Sequence, residues 1–331
     1  MQYRRLGNAG IYLSEIGLGS WLTYSTSVEK KVALACIRAA HEHGINFYDT
    51  ADIYNKGQAE LFLGEALKSI RRSDLVIASK CYFPMSDNPN DQGLSRKHIF
   101  ESVEQSLKRL KTDYIDIYQC HRFDYNTSIE ETVRAMSDLI TQGKILYWGV
   151  SQWSAAQIEE AVGIADRLGC YRPQSNQPIY NLINRSLEVD ILKTCDKNGL
   201  GLVVFSPLAQ GILTGKYSGG SIPKSSRAAN DNINNFMMKR MTPEWLDRVD
   251  KLQELANDHN LTIAQLALAW TLRLNAITSS IIGASRPEQI IENSGAAGVE
   301  LSQATLAQMD EIMQTVPIDQ YTGQAIAPFD K

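Results

Sequence analysis

Cysteine is scarce in this 331-residue chain. The five residues, Cys36, Cys81, Cys120, Cys170 and Cys195, form an odd set with no Cys-x-x-Cys spacing. Such a set builds neither a disulfide framework nor a zinc frame, and reduced thiols in a cytoplasmic protein are expected. Histidine is equally sparse, at five. His41 and His43 stand two apart on a predicted helix, hence on different faces, and no metal is expected. Neither charge dominates: 33 Lys and Arg face 37 Asp and Glu for a net charge of -4, without a long run of one sign. That balance argues against a nucleic-acid or anionic-membrane surface and points to small-molecule partners. No apolar run spans a bilayer, because the stretch from Leu261 is broken by Thr262, Gln265 and Arg273. Met1 to Gly7 has no apolar signal core, so a soluble, unexported, cytoplasmic protein is expected. The Gly-x-Gly-x-x-Gly fingerprint is also missing: Gly17-Leu18-Gly19 continues with Ser20, Trp21 and Leu22.

At 44% hydrophobic and 21% charged, the chain is ordinary for a globular protein. A chain this long buries about three quarters of its unfolded surface and needs no covalent staple. From residue 16 onward, short apolar runs alternate with segments of helical period, the pattern of parallel strands joined by crossover helices. Eight strands are predicted, at 15–18, 46–49, 75–79, 114–121, 145–151, 174–177, 202–205 and 280–282. Eight such units imply a (β/α)8 TIM barrel, and without an internal linker one barrel domain over residues 1–331 is expected, with a doubly wound open sheet as the rival. The helices are punctuated by capping boxes at Ser128 to Glu131, Ser154 to Gln157 and Thr262 to Gln265, and by a Ser95 cap. Ile263, Leu266, Trp270 and Leu274 form one expected buried stripe. Residues 2–13 read as a hairpin across the barrel floor, and residues 206–241 as a long functional loop followed by extra helices.

Residues at the carboxyl ends of barrel strands converge on one mouth. The second strand ends at Asp49, the third runs into Lys80, the fourth ends at His121, and the loop after the second delivers Tyr54. Singly, each has a structural reading as a cap, a strand end, rim packing or a core histidine. Four such residues at one end of adjacent strands point instead to carbonyl reduction, in which hydride reaches carbon while a proton is supplied to the developing alkoxide. Tyrosine suits the donor: its phenol has a free pKa of about 10, which an adjacent ammonium lowers toward working pH. Lys80 supplies that charge, Asp49 holds it, and His121 orients the substrate oxygen. Ser285-Arg286-Pro287-Glu288, after Gly283, suits phosphate at a helix start, although Ser285 and Glu288 also read as a capping box.

Asp49-Thr50-Ala51-Asp52-Ile53-Tyr54, Ala78-Ser79-Lys80, the 114–121 strand with Arg122 after it, and Gly149-Val150-Ser151 resemble the aldo-keto reductases over nearly the whole chain. Phe205-Ser206-Pro207-Leu208-Ala209-Gln210-Gly211 and Gly283-Ala284-Ser285 resemble the branch of bacterial glyceraldehyde-phosphate reductases and potassium-channel beta subunits. The resemblance implies a catalytic tetrad of Asp49, Tyr54, Lys80 and His121 and a cofactor of NADP or NAD; Arg286 at the helix start suits NADP(H), NAD(H) fitting less well. It also implies that Ser151 and Gln177, with Asn176 beside them, hold the nicotinamide amide, and that Phe205 faces the ring. Ser206, Leu208, Gly211, Lys216 and Arg227 would line the pyrophosphate, and Gln289 and Asn293 would meet the adenosine. Trp21, Pro207, Gly283, Ser285, Arg286 and Glu292 complete the expected cofactor set, with Arg286 on the 2′-phosphate. The channel beta subunits characteristically carry Asn where this chain has His121, which favours an ordinary carbonyl reductase over a cofactor-sensing subunit of a membrane protein. The aromatic residues Trp21, Tyr54, Tyr82 and Tyr125 either wall the substrate pocket or pack the rim, Arg122 is expected in a salt bridge rather than on an anionic substrate, and a homo-oligomer is left open.

Overall fold

The structure, a computed structural model, describes residues 1–21, 29–224, 226–230, 234–238 and 240–315. The chain opens with a two-stranded antiparallel hairpin, β1 (Tyr3–Arg5) and β2 (Tyr12–Ser14). Eight parallel strands then close on themselves: β3 (Ile16–Gly19), β4 (Phe47–Asp49), β5 (Val76–Cys81), β6 (Ile115–Cys120), β7 (Ile145–Ser151), β8 (Ser175–Gln177), β9 (Gly201–Phe205) and β10 (Ile277–Ile282). Between successive strands run α1 (Lys30–Glu42), α2 (Gln58–Leu67), α3 (Arg96–Leu110), α4 (Ile129–Thr141), α5 (Ala155–Leu168) and α6 (Ile191–Asn198). The β9 to β10 connection holds α7 (Asn235–Met238), α8 (Pro243–Asp258) and α9 (Ile263–Leu272), and α10 (Pro287–Ser294) and α11 (Gln303–Met313) follow β10. The expected TIM barrel is thus observed, and closure rules out the open sheet.

Every residue of β5 and β6 is buried, because a barrel strand faces helices on one side and the lumen on the other. The two-residue period sorts the side chains. Val76 and Ala78 join Leu6, Leu13, Phe47, Ile117, Val203 and Ile281 in the inner cluster, whereas Ile77 and Cys81 pack with the helices in the outer one. Lys80 therefore shares the lumen face of Val76 and Ala78. The expectation that the strand ended before it is corrected: Lys80 lies inside β5 and is fully buried.

The hairpin closes the amino end of the barrel. Leu6 and Leu13 enter the inner cluster, and the Arg4 guanidinium donates to the carbonyls of Leu274 and Ile277 while pairing with Glu15 at 2.7 Å. Among the described residues, then, the amino end is plugged and the carboxyl end is open.

Both halves of the capping box form at Ser154 with Gln157 and at Thr262 with Gln265. At Ser128 only the forward half forms, because Glu131 Oε1 accepts the Arg96 backbone N–H of the neighbouring helix. The Thr262 helix also departs from expectation. Every residue of α9 except Gln265 is buried, since α8 and α10 cover its outer side, and Leu274 lies beyond its end.

Candidate active site

A cleft of about 1590 Å³ opens over the carboxyl ends of the strands. Asp49, Tyr54 and His121 line its floor, and Lys80 lies directly beneath. The Lys80 ammonium donates to Asp49 Oδ1 at 2.6 Å, to the Thr50 carbonyl at 2.7 Å and to the Tyr54 hydroxyl at 3.4 Å. Asp49 Oδ2 accepts from Gln177 Nε2 at 2.8 Å, a contact across the barrel between residues 128 positions apart. Ser151 Oγ donates to the Gln177 carbonyl at 2.9 Å. Tyr54 and His121 meet edge to face with ring centroids 5.7 Å apart, and Phe83 meets the other side of the imidazole at 4.9 Å.

Burial dominates the acid–base properties of this floor. It holds the Tyr54 phenol above its ordinary value of 10.0; the Lys80 charge opposes that rise without reversing it. The expectation of a net downward shift is corrected, because a phenolate at this half-buried position loses more hydration than one ammonium restores. Burial acts most strongly on Lys80 and would lower its pKa, yet the Asp49 carboxylate and the Tyr54 hydroxyl together outweigh it and raise the pKa, so the ammonium stays charged. Burial and the cations Lys80 and Arg122 push His121 well below 6.5, which keeps the imidazole neutral near pH 7. Its buried Nδ1 has no hydrogen-bond partner among the described residues.

The rest of the expected set is gathered along the cleft with one exception. Trp21, Ser151, Gln177, Phe205, Ser206, Pro207, Leu208, Gly211, Lys216, Arg227, Gly283, Ser285, Arg286, Gln289, Glu292 and Asn293 all line it. Asn176 does not. Between the lumen-facing Ser175 and Gln177 it points toward the helices, where its amide nitrogen lies 4.0 Å from Cys195 Sγ.

Lys216, Arg227 and Arg286 form the cationic end of the cleft. Burial, together with the charges of Arg227 and Arg286, lowers the Lys216 pKa, which is the signature of a site that gains from an anion. Gly211 permits this arrangement: at φ +101°, a Cβ there would lie 2.7 Å from Lys216 Nζ. The helix start after β10 differs from expectation. Gln289 Oε1, rather than Glu288, accepts from Ser285, at 2.8 Å from its N–H, while Arg286 is largely exposed and 3.9 Å from Glu288 Oε2. These residues fit a dinucleotide: a polar floor for the nicotinamide end and three cations for phosphates.

The aromatic residues divide. Trp21 and Tyr54 line the cleft, Tyr82 packs on Phe83, and Tyr125 stands 83% exposed against Phe123. Arg122 makes no salt bridge among the described residues, against expectation; it donates to the His121 carbonyl at 2.6 Å and lies over Phe83. Phe83, Asn55, Gln152 and Lys224 also line the cleft and were not anticipated. Phe83 was legible in principle, since the loop leaving each barrel strand enters the mouth.

The sequence pattern of the aldo/keto reductase family matches residues 15–314, and the chain belongs to that family. Over 322 residues it is 42% identical to a probable voltage-gated potassium channel subunit beta of Arabidopsis thaliana, covering 96% of this chain and 98% of that protein. A probable voltage-gated potassium channel subunit beta of Oryza sativa subsp. japonica is 41% identical with the same coverage. A putative subunit of that description from Schizosaccharomyces pombe is 41% identical over 327 residues, or 96% and 94% of the two chains.

Proposed function

We propose that this protein reduces aldehydes or ketones to alcohols with NADPH, Tyr54 acting as the general acid. The observation that carries the reading is the buried Lys80 ammonium, held between the Asp49 carboxylate and the Tyr54 hydroxyl at the cleft floor. The reduced nicotinamide, when bound, supplies the hydride. Ser151 and Gln177 would hold its carboxamide, Phe205 would face the ring, and Lys216, Arg227 and Arg286 would neutralise the phosphates. Trp21, Phe83 and Arg122 would meet the substituents of the carbonyl compound.

Tyr54 donates its hydroxyl proton as negative charge develops on the carbonyl oxygen. Burial keeps the phenol protonated until that moment, and the ammonium 3.4 Å away stabilises the phenolate left behind. Asp49 keeps Lys80 charged and in place. The neutral His121 can donate one N–H to the same oxygen, fixing its angle without competing as an acid.

A panel of aldehydes and ketones scored by loss of NADPH absorbance tests the reading. Tyr54→Phe should then lower turnover by at least about 10²-fold with NADPH affinity nearly intact. Turnover within a few-fold of the unaltered protein would remove Tyr54 as the donor. The names of the relatives favour a second reading, a cofactor-sensing regulatory subunit of a membrane protein with slow residual reduction. Slow, near-stoichiometric cofactor oxidation together with a membrane-protein partner in a pull-down would select it; sustained turnover without a partner would select the enzyme.

A further inference from the structure

Behind the cleft floor, on the helix side of β5, lies a second buried polar cluster with no part in the proton delivery described above. The segment that carries Tyr54 also carries Asp52, which is fully buried. Asp52 Oδ1 accepts from the Ile53 N–H at 2.6 Å, and Oδ2 accepts from the Ser102 hydroxyl of α3 at 2.8 Å. Ser102 accepts in turn from the Tyr118 hydroxyl of β6 at 3.0 Å. The Asp52 N–H donates to the Lys80 carbonyl at 3.2 Å. Thus Asp52 joins the Tyr54 loop to the strand that holds the ammonium and to the helix behind it. Glu60, in the first turn of α2, is also fully buried, and its carboxylate accepts from Ser79 Oγ and from Arg109 Nε at 2.6 Å.

Of these two enclosed carboxylates only Glu60 pairs with the Arg109 guanidinium, an arrangement that costs stability at Asp52. Burial, and next the charge of Glu60, pushes Asp52 from 3.8 up to about 7, against the lowering effects of Ser102, the Ile53 N–H and Arg109. The other titratable groups facing it, Cys81 of β5 and Tyr118 of β6, are held neutral by burial.

We propose that Asp52 is a positioning residue for Tyr54, its buried carboxylate fixing the loop from which the tyrosine reaches the cleft. The proposal rests on the reductase reading above. An ionised carboxylate accepts the Ile53 N–H more strongly than a neutral acid does, so the loop is set when Asp52 is charged and loosens when it is protonated. Turnover therefore falls as pH drops through Asp52's titration. Stability has the opposite sign. The native state holds a proton that the unfolded chain has released between 3.8 and about 7, so this group's contribution declines as pH rises through that window.

Asp52→Asn mimics the neutral acid at every pH. Relative to the unaltered protein at pH 8, kcat should fall about tenfold with KM and NADPH affinity little changed, as expected for a displaced catalytic group. The dependence of kcat near pH 7 should disappear, the melting temperature at pH 8 should hold or rise, and hydrogen exchange at residues 51–55 should quicken. An unchanged kcat and pH profile overturns the proposal. So does a rate loss accompanied by a lower melting temperature with the dependence near pH 7 retained. Should the Asn variant fail to fold, Ser102→Ala removes the hydroxyl on Oδ2, together with the acceptor of Tyr118, and should shift kcat and exchange in the same directions; no shift overturns the proposal. If the unaltered protein reduces no carbonyl, the reductase reading fails, and exchange at residues 51–55 still decides whether Asp52 fixes the loop.

Discussion

At the scale of single residues, Lys80 is a fully buried ammonium with one carboxylate, one carbonyl and one phenol. Replacing it by methionine leaves burial of the Tyr54 phenol opposed by Arg122 alone, and Asp49 without its cation. Lys80→Met should therefore slow the chemical step at pH 7 by at least about 10²-fold, since an unassisted buried phenol is a poor acid. Single-turnover reduction from pH 6 to 9 is the measurement, and a wild-type rate at neutral pH would refute the charge coupling. Arg286 bears on a separate prediction, the choice of cofactor. NADPH and NADH differ by one 2′-phosphate, which a guanidinium binds in bidentate fashion while gaining little from a ribose hydroxyl. The partner of Arg286, Glu288 at 3.9 Å, is exposed, so a phosphate displaces only a weak, solvent-screened pair. Arg286→Ala should weaken NADPH by roughly ten- to a hundredfold and leave NADH nearly unchanged, following the ~1.5–3 kcal/mol of a charged hydrogen bond. Fluorescence titration with both cofactors checks it, and equal weakening of the two would remove Arg286 from the choice.

At the scale of elements, the barrel places its polar groups by how closely backbones approach. Gly64 of α2 is the clearest case: a Cβ there would lie 2.6 Å from the carbonyl oxygens of Arg109 and Leu110 at the end of α3. Backbone cannot rotate away as a side chain can. Gly64→Ala should force α2 off α3 and destabilise the protein by about 1–3 kcal/mol, the usual range for overpacking. Chemical denaturation gives the number; no loss would mean that the two helices slide freely. Turnover should fall with it, because α2 begins four residues after Tyr54 and carries Glu60, whose partner Arg109 lies on α3. Much at this scale was readable beforehand, since the strand period and the Ser154 and Thr262 boxes are local signals. What failed was local signal overridden by a neighbour. Glu131 had the spacing for a box, yet the Arg96 N–H of the adjacent helix took its carboxylate.

For the molecule as a whole, buried neutral histidines add to the loss of stability in acid. His98 is buried at the start of α3 with neither ring nitrogen hydrogen-bonded among the described residues; Asp91 Oδ1 stands 3.6 Å from Nδ1, but burial outweighs its charge and lowers the pKa below 6.5. His121 is shifted the same way. Below pH 6.5 the unfolded chain takes up protons that these native residues refuse, so stability falls as pH falls, opposite in sign to the contribution of Asp52. In His98→Gln, the decline of melting temperature between pH 7 and 5 should be shallower than in the unaltered protein. Equal slopes by calorimetry would show that His98 titrates as freely in the native state as in the unfolded one.

Periodicity alone specified eight strands, because a barrel strand needs only a short apolar run and a turn on either side. The pattern of polar strand ends specified Asp49, Lys80, His121 and nearby Tyr54, because in a closed parallel sheet every carboxyl end faces the same mouth. Asn176, Arg122 and the phenol of Tyr54 were beyond its reach. Whether Asn176 faces lumen or helix turns on a one-residue parity, which a three-residue strand does not declare. Whether Arg122 finds an acid depends on residues distant in sequence, and the sign of the Tyr54 shift depends on how much water its neighbours exclude. The same holds for Asp52, Glu60, Ser102 and Arg109: four residues on three segments, two of them carboxylates, whose enclosure together appears only when α2 and α3 close over β5. Sequence records which groups can ionise, while packing fixes what each one costs to charge.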